Sequence, residues 1–258
     1  MSGASIRLRG VSARYEGAAQ LAVNDVDLDV KAGEFIALVG PSGSGKSTLL
    51  RTVNRLVPLE HGSIELDGVD TATLDAVAMR RGIGYAIQAV GLFAHMDVAQ
   101  NIAVVPSLLG WDRVRIERRV DEMLELVRLD PARYRNRHPS ELSGGEAQRV
   151  GVARALAAQP RALLMDEPFG ALAAIVRHTL QRELHEIVSS TGTTTLFVTH
   201  DVNESLLLAD RIAVLRGGRI EQCASPLEIL AHPANAYVRE LFAADETIAR
   251  LRERARDR

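Results

Sequence analysis

The densest chemistry in this chain lies in eight residues. Gly40, Pro41, Ser42, Gly43, Ser44, Gly45, Lys46 and Ser47 fit the spacing G-x-x-x-x-G-K-[ST]. Glycines at those offsets let backbone N–H groups close around phosphate oxygens, and a helix starting at the end of the loop adds the partial positive charge of its N-terminus. In such a loop Lys46 reaches the terminal phosphates, the Ser47 hydroxyl ligates Mg²⁺ and Thr48 belongs to the same binding stretch. The spacing means this only between a strand and a helix. Phe35-Ile-Ala-Leu-Val39 reads as a buried strand leading in, and Leu49, Leu50, Val53 and Leu56 recur at helical spacing over residues 47–56 behind it.

A second chemical element is the run Arg161-Ala-Leu-Leu-Met-Asp166-Glu167-Pro168, apolar until it ends in two carboxylates. Asp166 at the end of a buried strand suits a Mg²⁺ ligand, direct or through water. Glu167, pointing the other way along the pleat, suits a base that orients the attacking water. Phosphoryl transfer needs mainly positioning and charge neutralisation, so one metal, one lysine and one base suffice. Taken alone, the acidic pair reads equally well as a turn closed by Pro168. Two further residues follow strand-like runs: Gln88 after Ile83-Gly-Tyr-Ala-Ile87, and His200 after Thr194-Thr-Leu-Phe-Val-Thr199.

Leu142-Ser143-Gly144-Gly145-Glu146, followed by Ala147-Gln148-Arg149 and an Ala-rich helix to about Ala158, lies just upstream of the acidic strand. Read locally it is a Ser N-cap with glycines at a helix start, and Glu146 in the first turn suits the helix macrodipole. In that position it resembles the signature sequence of ATP-binding-cassette (ABC) proteins. The resemblance covers about residues 6–242. It implies an α/β fold: a P-loop NTPase ABC cassette with a RecA-like core, an antiparallel β subdomain and a helical lobe. It also implies that ATP and Mg²⁺ are bound, and that Ser143, Gly144 and Gly145 of one subunit close on the nucleotide held by the P-loop of another. On the same grounds Gln88 is similar to the glutamine that connects Mg²⁺ and water to the membrane partner. His200 is similar to the switch histidine at the γ-phosphate, and Tyr15 to the aromatic residue that stacks on adenine. Tyr15 packing on the core as a strand-end residue is the rival reading.

Residues 80–96, together with Asn101-Ile-Ala-Val-Val-Pro106-Ser-Leu-Leu-Gly-Trp111, resemble the ATPase subunits of osmoprotectant importers, which serve glycine betaine, choline, carnitine or related quaternary amines. That resemblance implies transmembrane permease subunits, a second ATP-binding subunit in a homodimer, and a periplasmic or lipid-anchored solute-binding protein. It places the chain peripherally on the cytoplasmic face of the membrane. Longer members of the group carry paired C-terminal CBS modules, for which this chain is expected to be too short.

Bulk properties agree. The 258 residues carry 31 Lys and Arg against 33 Asp and Glu, a net charge of −2, so no global attraction to nucleic acid is implied. A single cysteine, Cys223, forms no internal disulfide, fits a reducing compartment and reads as a small apolar filler near a strand end. No apolar run approaches the roughly 18–20 residues of a spanning helix, and the N-terminus lacks a signal-peptide core.

Along the chain, Val26, Leu28 and Val30 alternate with Asp27 and Asp29 as a half-buried strand, and Gly62–Gly68 reads as a short strand closed by an Asp-Gly turn. Val114, Val120, Met123, Leu124 and Val127 predict the apolar stripe of one helix. The expected division is one domain over residues 4–244, its core at about 4–88 and 156–222 and its helical lobe at about 89–155, followed by a charged tail at 245–258. Three residues depart from the family: Ala94 stands where relatives tend to have Pro, Glu146 where many have Gln, and the third is the larger departure. Where an Asp is expected after Asp166-Glu167-Pro-Phe-Gly-Ala-Leu172, this chain has Ala173. Three alternatives follow: an ATP-binding switch that hydrolyses poorly, an importer ATPase for another small solute, and an ABC ATPase acting on ribosomes or DNA. The last normally needs two cassettes or a long coiled-coil insertion, and neither is visible.

Overall fold

The structure is a computed structural model that describes residues 3–87, 91–170 and 174–243. It contains two compact units. One is built from Ala4–Leu74 and the chain from Thr194 onward, the other from Asp75–Thr193 with the first residues.

The first unit opens with β1 (Ile6–Ala13) and β2 (Val23–Val30), paired antiparallel with Leu8 opposite Leu28. Val26, Leu28 and Val30 are buried while Asp27 and Asp29 face out, the alternation expected of a sheet wetted on one side. β3 (Phe35–Val39) is buried throughout. After it comes α1 (Lys46–Val53), with Leu49, Leu50 and Val53 in the core. α1 stops short of the expected Leu56. Arg55 adopts a left-handed φ of 51°, Leu56 N–H donates to Arg51 O at 2.8 Å, and Arg55 N–H donates to Thr52 O at 2.9 Å. These are the two bonds of a Schellman ending, which usually has Gly at the left-handed position. The Arg55 guanidinium holds the turn by donating to Thr71 O and Leu74 O, so Leu56 lies beyond the helix and is 49 % exposed. β4 (His61–Leu66) pairs with β1 and with the short β5 (Val69–Asp70), completing an antiparallel sheet.

The second unit begins with α2 (Ala76–Arg81), capped by Asp75, and β6 (Ile83–Ala86). α3 (Val98–Leu108) starts with a capping box between Asp97 and Gln100. Asn101, fully buried, closes the preceding loop by donating to Phe93 O, Met96 O and Asp97 O and accepting from Phe93 N–H. α4 (Arg113–Leu126) buries Val120, Met123 and Leu124, but Val114 is 76 % exposed. At 100° per residue Val114 lies about 130° round the helix from the middle of that stripe, so it never belonged to it. α5 (Pro131–Tyr134) leads to α6 (Gly144–Ala157), the long helix expected from the Ala-rich run. β7 (Ala162–Asp166) pairs parallel with β6, Ile83 opposite Ala162, and α7 (Ala174–Thr191) follows. A Cβ on Gly84 of β6 would lie 2.4 Å from Ala155 O, so α6 meets that strand at backbone distance.

Returning to the first unit, β8 (Thr194–Val198) and β9 (Arg211–Arg216) flank β3 and run parallel to it. α8 (Val202–Leu208) joins them. Gly217 and Gly218, both at positive φ, make the two-residue hairpin turn into β10 (Arg219–Ala224). The described chain ends with α9 (Pro226–Ala231) and α10 (Ala236–Leu241). Cys223 is no simple apolar filler: its Sγ lies 3.1 Å from the Arg211 guanidinium, while burial pushes the thiol pKa up.

Candidate nucleotide-binding and signature sites

In the first unit the loop from β3 to α1 has the strand–loop–helix context that its spacing demands. Gly40, Gly43 and Gly45 have φ of 151°, 78° and 100°. A Cβ on Gly40 would sit 2.2 Å from Leu215 O, and one on Gly45 2.2 Å from Ala22 O, so neither position has room for a side chain. Ser44 N–H bonds Pro41 O at 3.2 Å, and Leu49 N–H closes the first helical turn on Gly45 O at 2.8 Å. The Lys46 ammonium, buried, is held over the loop by Gly40 O at 2.8 Å and Pro41 O at 2.9 Å. Pro41, Ser42 and Gly43 are exposed at the tip, and Ser47 is half-buried behind them. Ser44 Oγ is buried without a hydrogen-bond partner among the described residues. An orphaned hydroxyl costs roughly 1–3 kcal/mol. Inside a cradle of glycine backbone beside an ammonium, it fits an oxyanion.

Two more expected residues lie in this unit. Tyr15, beyond the end of β1, is 42 % exposed. Its phenol accepts from Arg51 Nη1 at 2.9 Å and lies 3.3 Å from Thr48 Oγ1, so the ring is anchored to α1 instead of filling the core. His200 is exposed two residues past the end of β8. Its neighbours on both sides are pinned. The buried Thr199 hydroxyl donates to buried Glu204 at 2.5 Å and accepts from Asp201 N–H at 2.9 Å, and Asp201 caps α8. Thr199 N–H also bonds Leu38 O at 3.2 Å, tying the histidine loop to the strand that feeds the glycine loop.

In the second unit Asp166 is buried at the end of β7. Glu167 is not, as the pleat argument supposed, a further strand residue: its φ is 47°. The backbone turns left-handed there, a costly conformation for a non-glycine residue and one that clusters at functional sites. The Glu167 carbonyl accepts from Gly170 N–H at 3.2 Å and from Gln148 Nε2 of α6 at 3.4 Å.

Ser143 caps α6 in a capping box with Glu146. Ser143 N–H and Ser143 Oγ both donate to Glu146 Oε2 at 2.8 Å, and Glu146 N–H returns to Ser143 Oγ at 3.3 Å. The Tyr134 phenol donates to the other carboxylate oxygen. That bond first, then those from Ser143, hold the Glu146 carboxyl down at about 2. Ser143 and Gly144 are exposed. Gly144 has neither a positive φ nor any atom within 4 Å of a would-be Cβ among the described residues, so nothing local demands a glycine there.

Gln88 and Ala173 lie outside the described residues. Sequence reasoning missed the Thr199–Glu204 pair, the Gln148–Glu167 bond and the Tyr134–Glu146 contact. None of these had a signal in the sequence, whereas the Ser143–Glu146 capping box is legible as S-x-x-E.

Residues 23–170 match the family model described as ABC transporter. The chain is 49 % identical over 230 residues to the osmoprotectant import ATP-binding protein OsmV of Salmonella typhimurium, covering 89 % of this chain and 60 % of that protein. It is 47 % identical over 243 residues to the glycine betaine/carnitine/choline transport ATP-binding protein OpuCA of Bacillus subtilis, covering 94 % of this chain and 63 % of that one. The chain thus spans less than two thirds of the length of either relative. Among solved structures it is similar to the dimeric post-hydrolysis state of the ATP-binding cassette MJ0796 bound to ADP and Pi. The TM-score is 0.79 at 31 % identity, over 86 % of this chain and 98 % of that one.

Proposed function

Because the chain belongs to the ABC transporter family, we propose that it binds and hydrolyses ATP as the cassette subunit of an importer for quaternary-amine osmoprotectants such as glycine betaine, choline or carnitine. The observation that carries the nucleotide reading is the loop after β3. Two of its glycines have no room for a Cβ, a buried ammonium lies over it and a buried serine hydroxyl has no partner among the described residues. Such a loop is shaped for a polyphosphate. The osmoprotectant reading is supported by the identity to the two import proteins.

ATP bound with Mg²⁺ supplies the phosphoanhydride whose cleavage drives the cycle. Lys46 neutralises its terminal phosphates, while Gly40, Pro41, Ser42, Gly43, Ser44, Gly45 and Thr48 wrap them. Ser47, Asp166 and Gln88 would hold the Mg²⁺, which would neutralise charge on the phosphates, and Tyr15 would stack on the adenine. Glu167 accepts the proton of the attacking water, and His200 contacts the γ-phosphate. Ser143, Gly144 and Gly145 complete the site from a second copy of the chain. A glycine at 144 that nothing local requires supports close approach from outside its own unit.

In this reading residues 4–244 form one cassette, with core segments at about 4–88 and 156–222, a helical lobe at about 89–155 and a tail at 245–258. Among the described residues no helix is long and apolar enough to cross a membrane. In this reading separate permease subunits cross the membrane, a solute-binding protein delivers the solute, and this chain lies on the cytoplasmic face, as the names of the import relatives suggest.

The test is co-purification with membrane permease subunits, followed by phosphate release in proteoliposomes. Binding protein loaded with glycine betaine, choline or carnitine is expected to stimulate release above that seen with sulfate or with unloaded binding protein. Equal release in all arms would overturn the solute assignment, and none in any arm would favour the switch that hydrolyses poorly because Ala173 replaces Asp.

A further inference from the structure

The signature serine is already engaged. Its hydroxyl has one proton, and an ionised carboxylate is an acceptor only, so the 2.8 Å bond from Ser143 Oγ to Glu146 Oε2 directs that proton into the capping box. The carboxylate cannot easily turn away. Its second oxygen takes the Tyr134 phenol, and the Arg137 guanidinium lies 4.6 Å from the centre of the Tyr134 ring. Glu146 stays ionised at any working pH, since its carboxyl is held at about 2.

We propose that Glu146 sets the ATP requirement for closure of the dimer by holding the Ser143 hydroxyl in a charge-assisted bond that the incoming nucleotide must displace. The inference rests on the reading above in which Ser143 donates to a nucleotide held by a second copy. Glu146 is a positioning residue: it acts on the nucleotide through Ser143. A glutamine would keep the capping box through its amide oxygen but offer the serine a neutral acceptor, and would remove a negative charge from the surface that meets a polyphosphate. A charge-assisted hydrogen bond is roughly twice as strong as a neutral one, so Glu146→Gln is expected to lower the ATP concentration for half-maximal dimerisation by about fivefold.

The experiment uses the full chain with Glu167→Gln as the parent, so that hydrolysis does not disperse the dimer. MgATP is titrated and the dimer fraction read by light scattering after size exclusion. Three variants are compared with that parent: Glu146→Gln, Ser143→Ala and the two combined. The expected result is a leftward shift for Glu146→Gln despite a lower melting temperature without nucleotide, since the ionised carboxylate is stabilised in the folded chain, and a much smaller shift when Ser143 is already Ala. A purely structural capping role would move the melting temperature and not the ATP requirement. An unchanged or raised ATP requirement in Glu146→Gln overturns the proposal alone, as does a shift that persists undiminished without the Ser143 hydroxyl. Absence of an ATP-dependent dimer in every variant, parent included, overturns the two-copy reading and the proposal with it.

Discussion

Replacing Gly45 by Ala separates two costs that a glycine-rich loop normally confounds. Gly43 and Gly45 both have positive φ, 78° and 100°. An alanine at Gly43 would meet nothing within 4 Å, so Gly43→Ala bears only the strain of a left-handed L-residue, about 1–2 kcal/mol. An alanine at Gly45 carries that strain and also drives its Cβ to 2.2 Å from Ala22 O, a backbone atom that cannot rotate aside. Overpacking of that kind costs about 1–3 kcal/mol, so Gly45→Ala is expected to lose roughly 2–5 kcal/mol in all. At about 3 °C per kcal/mol for a chain of this size, the melting temperature should fall by roughly 6–15 °C, against about 3–6 °C for Gly43→Ala. Differential scanning calorimetry of the two variants without nucleotide makes the comparison. Equal losses, or a Gly45→Ala loss under about 3 °C, would refute the claim that the close approach of Ala22 O makes glycine obligatory there.

Other perturbations have equally definite outcomes. Glu204→Val leaves the buried Thr199 hydroxyl without its acceptor and should cost about 1–3 kcal/mol in urea unfolding. Glu204→Gln, which keeps an acceptor oxygen, should cost less than half of that; in both, kcat should fall further than ATP affinity because His200 is the residue displaced. The Glu146 carboxyl, ordinarily near 4.5, is held at about 2 in the folded chain, so its stabilisation is present above about 4.5 and is lost as pH falls toward 2. The melting temperature of the parent should therefore drop more steeply than that of Glu146→Gln across that window. Ala173→Asp should raise kcat by up to about tenfold with little change in ATP affinity, through a charged hydrogen bond made only on closure; a kcat at or below the parent's would mean that this chain has compensated elsewhere.

Much of this molecule is written in short runs of sequence, and where it is not, the physical reasons differ. Buried parallel strands announce themselves as apolar runs, which is why Phe35–Val39 lies where expected and the strand ending in Asp166 begins within one residue of it. The glycine loop is legible because its backbone leaves so few residue choices. The end of α1 is not, because an arginine, held by two carbonyls more than fifteen residues away, occupies a position where glycine is the usual signal. Val114 counts as apolar but falls on the other side of α4, because rotation about the helix, not apolar count, decides its face. The left-handed turn at Glu167 ends the strand reading there, and a left-handed glutamate has no marker in sequence. Glu204 looks like one more solvated helix carboxylate until the fold brings Thr199 against it. The strands and loop that carry the candidate site were thus readable from local spacing, while the side chains that brace it depend on contacts only the fold supplies.

The central claim is that one copy's signature completes the nucleotide site of another. Ser143→Arg tests it most directly, with ATP affinity of the monomer and steady-state phosphate release measured on the same preparation. Because Ser143 lies on an exposed helix start and is not one of the loop residues 40–47, ATP affinity should be unchanged while phosphate release falls to background. Full phosphate release by folded Ser143→Arg would contradict the account.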